Sequence, residues 1–509
     1  MKQQGILNRI RTAARVIAGT YYGSASAGNS RHMYGFNPDM TDGSRELFAE
    51  GRVLRSRSRD LVRQDSYARA IVDAWQANLV GDGIVPRSQH PDPAVRAKLH
   101  DLFEQQAAVL DADETGDFYG QQAVWAAELV TGGEVFIRIR PRQSSDGLPL
   151  PFQIQTIPAE QVPEWKTELG ANSYIRGGVE FDALGRRVAY HIYRDHPASG
   201  LLNASDLRRV PTWDGDMPVV LHMFVPRRAA QVRGEPWLTP VIPMLHDLHK
   251  YRSAKLQQAK AAAYYLGSVV APGGNPMDYP LAADLEDADS RIDSPIIEPC
   301  TILRLDPGEK LEFNTTPADP NYPEFVKATL KGIARGVGLT YAAVSGDTRE
   351  ANFSSMRADE MISRRKCKQI QHLVIRPVLN AIWQVFLQYA ALNGAISAAD
   401  FRRNRALYER IEWRFPAFEK IQPLQDVEAE ILEIRAGLKT RENAVAERGY
   451  DVEEIDRQNA QDQQRADDLG LTYDSDGRQP KTGGGTAPAD GGNAAVGDQS
   501  ASIAGPAAA

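Results

Sequence analysis

SRDLVRQDSYARAIVDAWQANLVGDGIVP, which runs from Ser58 to Pro86, carries a strong helical pattern near the start of this chain. Up to Val80 its apolar side chains recur mostly three or four residues apart, as they do on one face of a helix. Gly81-Asp82-Gly83 then supplies a turn that stops the pattern. The spacing therefore predicts one helix over 58–80. Its apolar face is predicted to carry Leu61, Ala68, Ile71, Val72, Trp75 and Leu79.

Downstream of this segment the spacing changes from helical to strictly alternating. Two further helices are predicted, around 96–110 and just before the glycine pair 132–133. Residues 179–194 predict two strands around an Asp-Ala-Leu-Gly turn, and residues 219–224 predict another strand. The first half of the chain is therefore predicted to be mixed α+β. After the glycine pair, one strand face carries Val135, Ile137 and Ile139, and the other carries Arg138 and Arg140.

Long helices dominate the second half of the prediction. Residues 244–266 contain neither Gly nor Pro and predict a helix on the order of 35 Å long, at about 1.5 Å per residue. An amphipathic helix is predicted over 354–392, with a kink at Pro377 because its ring removes one backbone donor. Short helical pieces follow in the region after Ser397.

A basic stripe marks the helix predicted over 322–337. Lys327, Lys331 and Arg335 stand four residues apart, away from the apolar face of that helix. Like charges at this spacing repel by roughly 0.2–0.5 kcal/mol per pair, so the stripe needs an explanation. Two interpretations stay open: the stripe faces an anion, or it is a solvated face balanced by acidic groups elsewhere in the fold.

Charge is unevenly distributed along a chain of 509 residues with a net charge of -7. Residues 424–478 hold 15 acidic and 7 basic side chains, so the rest of the chain is nearly neutral. Residues 1–44 predict a flexible basic arm, although an Arg-rich amphipathic start is also typical of a transit peptide. Residues 475–509, rich in Gly and Ala, predict a disordered tail. Residues 378–392 are the least charged stretch and are too short to span a bilayer.

The motifs of common enzymes are missing from the sequence. It contains no GxxxxGK[ST], GxSxG or HExxH, so no P-loop, serine-hydrolase or zincin signature is present. His246 and His249 share a helix face, but such pairs are usually structural, and no metal site or cofactor is predicted. Asp146, Glu164 and Lys166 loosely resemble the acidic pair and lysine of a Mg²⁺-dependent nuclease, which stays an alternative function.

Six segments in order resemble the portal proteins of lambda-type tailed phages. Together they cover roughly 47–462, and each alone is a weak signal. The segments are SRDLVRQDSYARAIVDAWQANLVGDGIVP (58–86), GVEFDALGRRVAYHIYR (178–194), QVRGEPWLTPVI (231–242), EPCTILRLDPGEKLEF (298–313), VSGDTREANFSSMRADE (344–360) and ERGYDVEE (447–454).

The resemblance implies an α+β portal fold of wing, stem, clip and crown regions, built from long helices and small β-sheets and assembling into a ring. It implies the following division: wing 45–240, first stem helix 241–266, clip 267–320, second stem helix 321–337, tunnel loop region 338–353, long wing helix 354–396 and a helical, acidic crown 397–474.

The same resemblance implies a structural protein with no catalytic site. Its ring, usually of twelve subunits, would occupy one capsid vertex of the virion and conduct double-stranded DNA during packaging and ejection. The implied partners are further copies of the chain, the terminase large subunit, head-completion or connector proteins, and the major capsid protein or scaffold, with no membrane. Assembly is expected in the host cytoplasm. Another ring-forming head-completion protein stays an alternative.

The segment that resembles the tunnel loop departs from the family at two places. Small polar residues usually follow Ser-Gly-Asp, whereas here Arg349-Glu350 stands there, and Phe353 replaces a tyrosine. We expect Arg349 to contact phosphate transiently. The residues predicted to meet DNA without sequence preference are Asp347, Thr348, Arg349, Glu350 and Asn352 of the loop, with Lys327, Lys331 and Arg335 of the stem.

Overall fold

The computed structural model describes residues 42–200, 206–264, 268–270, 310–312, 321–349, 353–418, 423–448, 450 and 452–471. These residues contain thirteen α-helices. In chain order they are α1 (Gly43–Gln64), α2 (Ser66–Leu79), α3 (Pro93–Ala107), α4 (Phe118–Thr131), α5 (Ile242–Tyr264), α6 (Tyr322–Val337), α7 (Tyr341–Ser345), α8 (Phe353–Ile370), α9 (Arg376–Leu392), α10 (Ala398–Tyr408), α11 (Pro423–Arg435), α12 (Arg441–Ala446) and α13 (Val452–Leu469).

The strands form small antiparallel sheets. A three-stranded sheet has the order β11-β2-β3, a five-stranded sheet has the order β4-β5-β6-β7-β8, and the pairs β1-β14, β9-β10 and β12-β13 stand alone. The strands are β1 (Val85–Ser88), β2 (Glu134–Pro141), β3 (Phe152–Pro158), β4 (Glu168–Leu169), β5 (Ser173–Arg176), β6 (Val179–Asp182), β7 (Arg187–Tyr193), β8 (Leu207–Pro211), β9 (Trp213–Asp214), β10 (Met217–Pro218), β11 (Val220–Phe224), β12 (Ser268–Val270), β13 (Lys310–Glu312) and β14 (Ile411–Arg414).

The expectation of long helices with small sheets is therefore confirmed. The strands predicted over 179–194 and 219–224 are β6, β7 and β11, and the helix predicted over 244–266 is α5. The basic arm predicted over 1–44 lies almost wholly outside the described residues, and α1 already includes the last two residues of that arm, because it begins at Gly43. The tail predicted over 475–509 lies outside the described residues. Of the clip, only β12 and β13 are described. No helix in the described ranges is long and apolar enough to cross a membrane.

The single helix predicted over 58–80 is wrong. The segment folds as the end of α1 and all of α2, with a break at Asp65, whose backbone is extended at φ -111° and ψ 127°. The Asp65 carboxylate accepts hydrogen bonds from the backbone N–H groups of Tyr67 and Ala68, which lack partners inside the new helix. An aspartate in this position stabilises a helix start, so it outweighs the continuous apolar spacing.

The kink predicted at Pro377 lies just before that proline. Helix α8 ends at Ile370, residues Gln371–Ile375 form one turn of π-helix, and α9 begins at Arg376. A proline ring excludes the carbonyl four residues earlier from the usual helical hydrogen bond, so the irregularity falls in the preceding turn.

Two apolar cores organise these elements. The larger joins α2, α3, α4 and the inner face of β2 to α5, α6 and α9, and its largest fully buried side chains include Trp75, Trp125 and Trp383. The smaller lies between the three-stranded and five-stranded sheets, around Phe136 and Tyr190. Because side chains alternate along a strand, β2 contributes one face to each core.

A buried group of charges joins the two cores. It consists of the Glu134 carboxylate, the Arg55 and Arg233 guanidiniums, and the His222 imidazole, each with a side chain at most 2% exposed. Glu134 Oε1 accepts from Arg55 Nη2 at 2.9 Å and from Arg233 Nε at 2.8 Å. Glu134 Oε2 lies 2.8 Å from His222 Nε2 and accepts from the Gly234 N–H at 2.7 Å. Every lone-pair direction of this carboxylate is therefore occupied.

The backbone packs unusually closely beside this charge group. A Cβ on Gly234 would lie 2.2 Å from the Gly133 carbonyl oxygen, and a Cβ on Gly133 would lie 2.2 Å from the Glu235 carbonyl carbon. Gly133 also has φ +85°, a conformation that L side chains rarely adopt. Only glycine fits at these two positions.

Candidate DNA-contacting surface at the end of helix α6

Helix α6 turns one face into the larger core and its basic stripe outward. Leu330, Ile333, Ala334 and Val337 are buried. Lys327 is half-buried, whereas Lys331 and Arg335 are exposed. Gly338, at φ +79°, then caps the helix in the left-handed conformation and redirects the chain toward α7.

The short helix α7 brings the predicted tunnel loop back toward α6. The Thr340 hydroxyl oxygen accepts from the Ala343 N–H at 3.1 Å and so caps the start of α7. Gly346, at φ +70°, ends it. The Ser345 hydroxyl oxygen accepts from the Asp347 N–H at 3.1 Å, which fixes the first residues of the loop.

Lys327, Lys331 and Asp347 line one cleft of about 470 Å³ between α6, α7 and α8. The Lys331 ammonium lies 5.8 Å from the centre of the Tyr341 ring, within range of a cation–π interaction. Asp359 and Glu360 of α8 line the same cleft. This arrangement favours the second interpretation of the basic stripe, in which acidic groups of the fold balance its lysines.

Arg349 is paired inside the loop. Its side chain is 88% exposed, and its Nε and Nη2 donate to the two carboxylate oxygens of Asp347 at 3.0 and 3.1 Å. The hydrogen bonds from Arg349 lower the pKa of Asp347 to about 2, with a smaller contribution from the charge of Lys327. Asp347 is therefore ionised near neutral pH, and the loop presents a neutral pair rather than a free positive charge.

Arg335 lies apart from the cleft, next to a lysine that the sequence did not single out. Lys366 of α8 donates from Nζ to the Val337 carbonyl oxygen at 3.1 Å, at the negative end of the α6 dipole. Burial lowers the pKa of Lys366, and so does repulsion from Arg227 and Arg335. No spacing rule relates Lys366 to α6, because the two helices meet only in the folded chain.

The eight predicted residues are therefore only partly brought together. Lys327, Lys331, Asp347 and Arg349 lie in or beside one cleft. Arg335 lies at the end of α6, and Thr348 is exposed. Glu350 and Asn352 lie outside the described residues.

The three residues of the nuclease alternative serve separate contacts. Glu164 Oε1 accepts from the buried Arg55 at 2.5 Å. Lys166 pairs with Glu168, and Asp146 accepts from the Gln143 N–H in an exposed turn. This geometry gives no common metal-binding point to the three.

The histidine pair of α5 is also separated. His249 Nδ1 lies 3.2 Å from an Asp65 carboxylate oxygen, while His246 is exposed. Within the described ranges, no group of three or more His, Cys, Asp or Glu side chains is placed to hold a metal ion.

Comparison with protein families gives one match. A family model described as "Phage portal protein, lambda family" matches residues 29–371. The match spans the smaller core, α5, α6 and the segment between α6 and α8, and it ends before α9, which supplies part of the larger core.

Curated relatives extend the likeness over most of the chain. A "Probable portal protein" of Halomonas phage phiHAP-1 is 25% identical over 470 residues, covering 89% of this chain and 85% of that protein. "Portal protein B" of Escherichia phage lambda is 22% identical over 482 residues, covering 87% of this chain and 89% of that protein.

Solved structures show a more distant likeness. One is the neck of a native GTA particle computed with C12 symmetry, with a TM-score of 0.42, 13% identity, and coverage of 80% of this chain and 93% of that chain. Another is an HK97 family phage portal protein from Corynebacterium diphtheriae, with a TM-score of 0.29, 11% identity, and coverage of 60% and 84%.

Proposed function

The chain belongs to the lambda family of phage portal proteins, and from this membership we propose that its copies form a closed ring through which double-stranded DNA enters and leaves a capsid. The family match over residues 29–371 carries the proposal, because it includes both helices assigned to the stem and the loop assigned to the tunnel. The family is structural, and the chain is proposed to act by its shape and charge. We expect twelve subunits.

Exposed apolar side chains in the C-terminal helices support assembly into a ring. Among the described residues of α11 to α13, the buried apolar side chains are only Ala444 and Ala466. Three helices with so small a core gain little from burial, so another surface is needed to cover their larger side chains. A closed ring provides that surface through head-to-tail contacts between neighbours. The exposed apolar residues are Leu424, Ile431, Leu432 and Leu469 in these helices and Leu438 and Tyr450 in the segments that connect them.

Charge pairing at the loop supports passage rather than retention of DNA. A ring repeats each side chain in every subunit, so an unpaired lysine or arginine on the channel wall would hold the duplex through release of many counterions. The Arg349–Asp347 pair is neutral as a unit, and Asp359 and Glu360 line the same cleft as the two lysines. Arg349 then meets a phosphate only by leaving Asp347 briefly.

The remaining parts of the proposal follow from family membership. The clip, 267–320, is proposed to dock the terminase large subunit first and the head-completion proteins later. The wing is proposed to meet the major capsid protein or scaffold. The ring is proposed to occupy the portal vertex of the virion after assembly in the host cytoplasm.

Electron microscopy of the purified chain in negative stain tests the ring directly. We expect rings with a central hole wide enough for a DNA duplex. A protein that stays monomeric under all solution conditions would contradict the proposal. Incubation of the same sample with Mg²⁺ and DNA tests the nuclease alternative, and we expect intact DNA.

A charge-reversed loop tests the DNA contact. Arg349→Glu gives each subunit a repulsive loop, and we expect slower DNA packaging in a reaction with purified heads and motor. Asp347→Asn is the matched variant, because it frees Arg349 and adds one positive charge per subunit, so we expect DNA to be held more tightly. Packaging at the normal rate by Arg349→Glu rings would remove Arg349 from the DNA path.

A further inference from the structure

Three arginines converge at the rim of the smaller core, between the three-stranded and five-stranded sheets. Arg138 and Arg140 follow the buried Phe136 at alternate positions of β2, so all three point to the same face. Arg208 likewise shares a face of β8 with the buried Val210. We call Arg138, Arg140 and Arg208 the arginine cluster.

The arginine cluster has no counter-charge in the described part of the chain. Arg138 is half-buried, and its Nε is shielded from solvent without a hydrogen-bond partner. Burial lowers the pKa of Arg138, and repulsion from Arg140 and Arg208 lowers it further. Asp113 lies nearby, 3.5 Å from the side chain of Gln155 opposite Arg138 on β3, but it forms no ion pair with the cluster. An uncompensated cation that is half-buried, as Arg138 is, costs free energy unless a ligand supplies the anion.

Elsewhere the same molecule pairs buried and half-buried guanidiniums with carboxylates. One carboxylate, Glu134, receives hydrogen bonds from both Arg55 and Arg233. Arg59 donates to two carboxylates, those of Glu128 and Glu160. Three arginines that have no carboxylate partner among the described residues depart from this pattern, and together they form a site suited to an anion.

We propose that the arginine cluster binds a phosphate group. A carboxylate in this molecule is already satisfied by two guanidiniums, whereas a phosphate offers more oxygens and more charge to three of them. The planar fork of arginine also suits two-point contacts to phosphate, which a lysine cannot make. The phosphate comes from a nucleic acid backbone or from a free phosphate compound. The site belongs to the two sheets and not to α6 or the loop, so it goes beyond the proposed channel contact.

Adjacent arginines on β8 provide a matched pair of variants. Arg208 belongs to the arginine cluster, while Arg209 lies on the opposite face of the strand and pairs with Glu180 at 2.8 Å. Both substitutions, Arg208→Gln and Arg209→Gln, remove one charge from an exposed position of the same strand. We expect Arg208→Gln to weaken binding of inorganic phosphate about tenfold, the effect of losing one charge-assisted hydrogen bond, and Arg209→Gln to change it less than about twofold.

Thermal unfolding and calorimetry of the full chain measure this binding. Inorganic phosphate should raise the midpoint temperature of the wild-type chain above that in chloride of equal ionic strength, because a ligand stabilises the state that binds it. The same increase is expected for Arg209→Gln and a much smaller one for Arg208→Gln. Equal responses of both variants, or no response of the wild-type chain, would overturn the proposal.

A labelled DNA duplex identifies the source of the phosphate. If the backbone is the ligand, Arg208→Gln weakens duplex binding and reduces the slope of log affinity against log salt by about one, while Arg209→Gln does not. If only inorganic phosphate distinguishes the variants, the ligand is a free phosphate compound. Displacement of phosphate by an equal or lower concentration of an acidic peptide would assign the site to a protein partner and overturn the proposal. None of these outcomes bears on whether the chain forms a portal ring.

Discussion

Replacing Glu134 by glutamine removes the negative charge at the centre of the buried charge group. In the folded chain Glu134 Oε1 accepts from Arg55 and Arg233, and Oε2 accepts from the Gly234 N–H. A glutamine has one acceptor and one donor at these places, so its NH₂ group must face a donor in either orientation. Two fully buried guanidiniums also lose their shared counter-charge.

The expected cost follows from this uncompensated charge. Removing one partner of a buried ion pair costs about 3–5 kcal/mol of stability, because the remaining charge stays away from water. The backbone position should hardly move, since glutamine has the shape of glutamate. With an unfolding entropy of about 2.1 cal/mol/K per residue, a chain of 509 residues shifts by about 1 °C per kcal/mol, so the midpoint of thermal unfolding should fall by about 3–5 °C.

Thermal unfolding followed by circular dichroism measures the effect of Glu134→Gln. The matched control is Arg176→Gln, which breaks the exposed Arg176–Asp42 pair and should cost less than about 1 kcal/mol. If the midpoint for Glu134→Gln falls no further than that of the control, the buried charges are not the constraint that this reasoning assigns to them.

Three further predictions concern the same framework. Burial lowers the pKa of His222 from its ordinary value of 6.5 to about 4. The folded chain should therefore lose stability as pH falls from 6.5 to 4, by at most about 1.4 kcal/mol per pH unit, because only the unfolded chain binds the proton in that range. His222→Gln should remove this decline from a pH series of unfolding midpoints. Gly234→Ala should destabilise the chain by more than about 3 kcal/mol or prevent folding, because the new Cβ would lie 2.2 Å from the Gly133 carbonyl oxygen. The yield of soluble protein and its circular dichroism spectrum measure this loss of folded chain. Asp65→Ala should cost about 1 kcal/mol through loss of the α2 cap, and Asp65→Asn, which keeps an acceptor, should recover most of that in urea unfolding.

Local pattern was sufficient to predict the long helices of this fold and four of its described strands, β2, β6, β7 and β11. The alternation in β2 and the turn between β6 and β7 depend on neighbours in sequence, and both are confirmed. The break at Asp65 was missed although its signal was present, because apolar spacing was followed through a good helix cap. Local rules compete with one another at such points, and the capping hydrogen bonds were decisive here.

The buried charge group was beyond any local rule. Glu134 lies 79 residues from Arg55 and 99 residues from Arg233, and no periodicity relates these positions. The candidate site likewise has one part that was predictable from the sequence and one part that was not. The spacing of Lys327 and Lys331 on one helix was readable, whereas the neutralisation of Arg349 by Asp347 depends on the conformation of a loop.

The effect of a charged side chain in this protein depends on whether it is paired within the fold. A cation bonded within the fold, such as Arg55 or Arg349, contributes structure or a neutral surface, because its field is cancelled nearby. The electrostatic field of a cation without a partner is not cancelled, so it can attract an anionic ligand. Net charge cannot separate these cases, since both kinds of arginine count equally in it. A conduit that lets DNA slide needs paired charges where the duplex moves and unpaired charges only where an anion is to stay. The Arg349–Asp347 pair of the proposed channel loop and the proposed phosphate site would meet these two requirements on different elements of the fold.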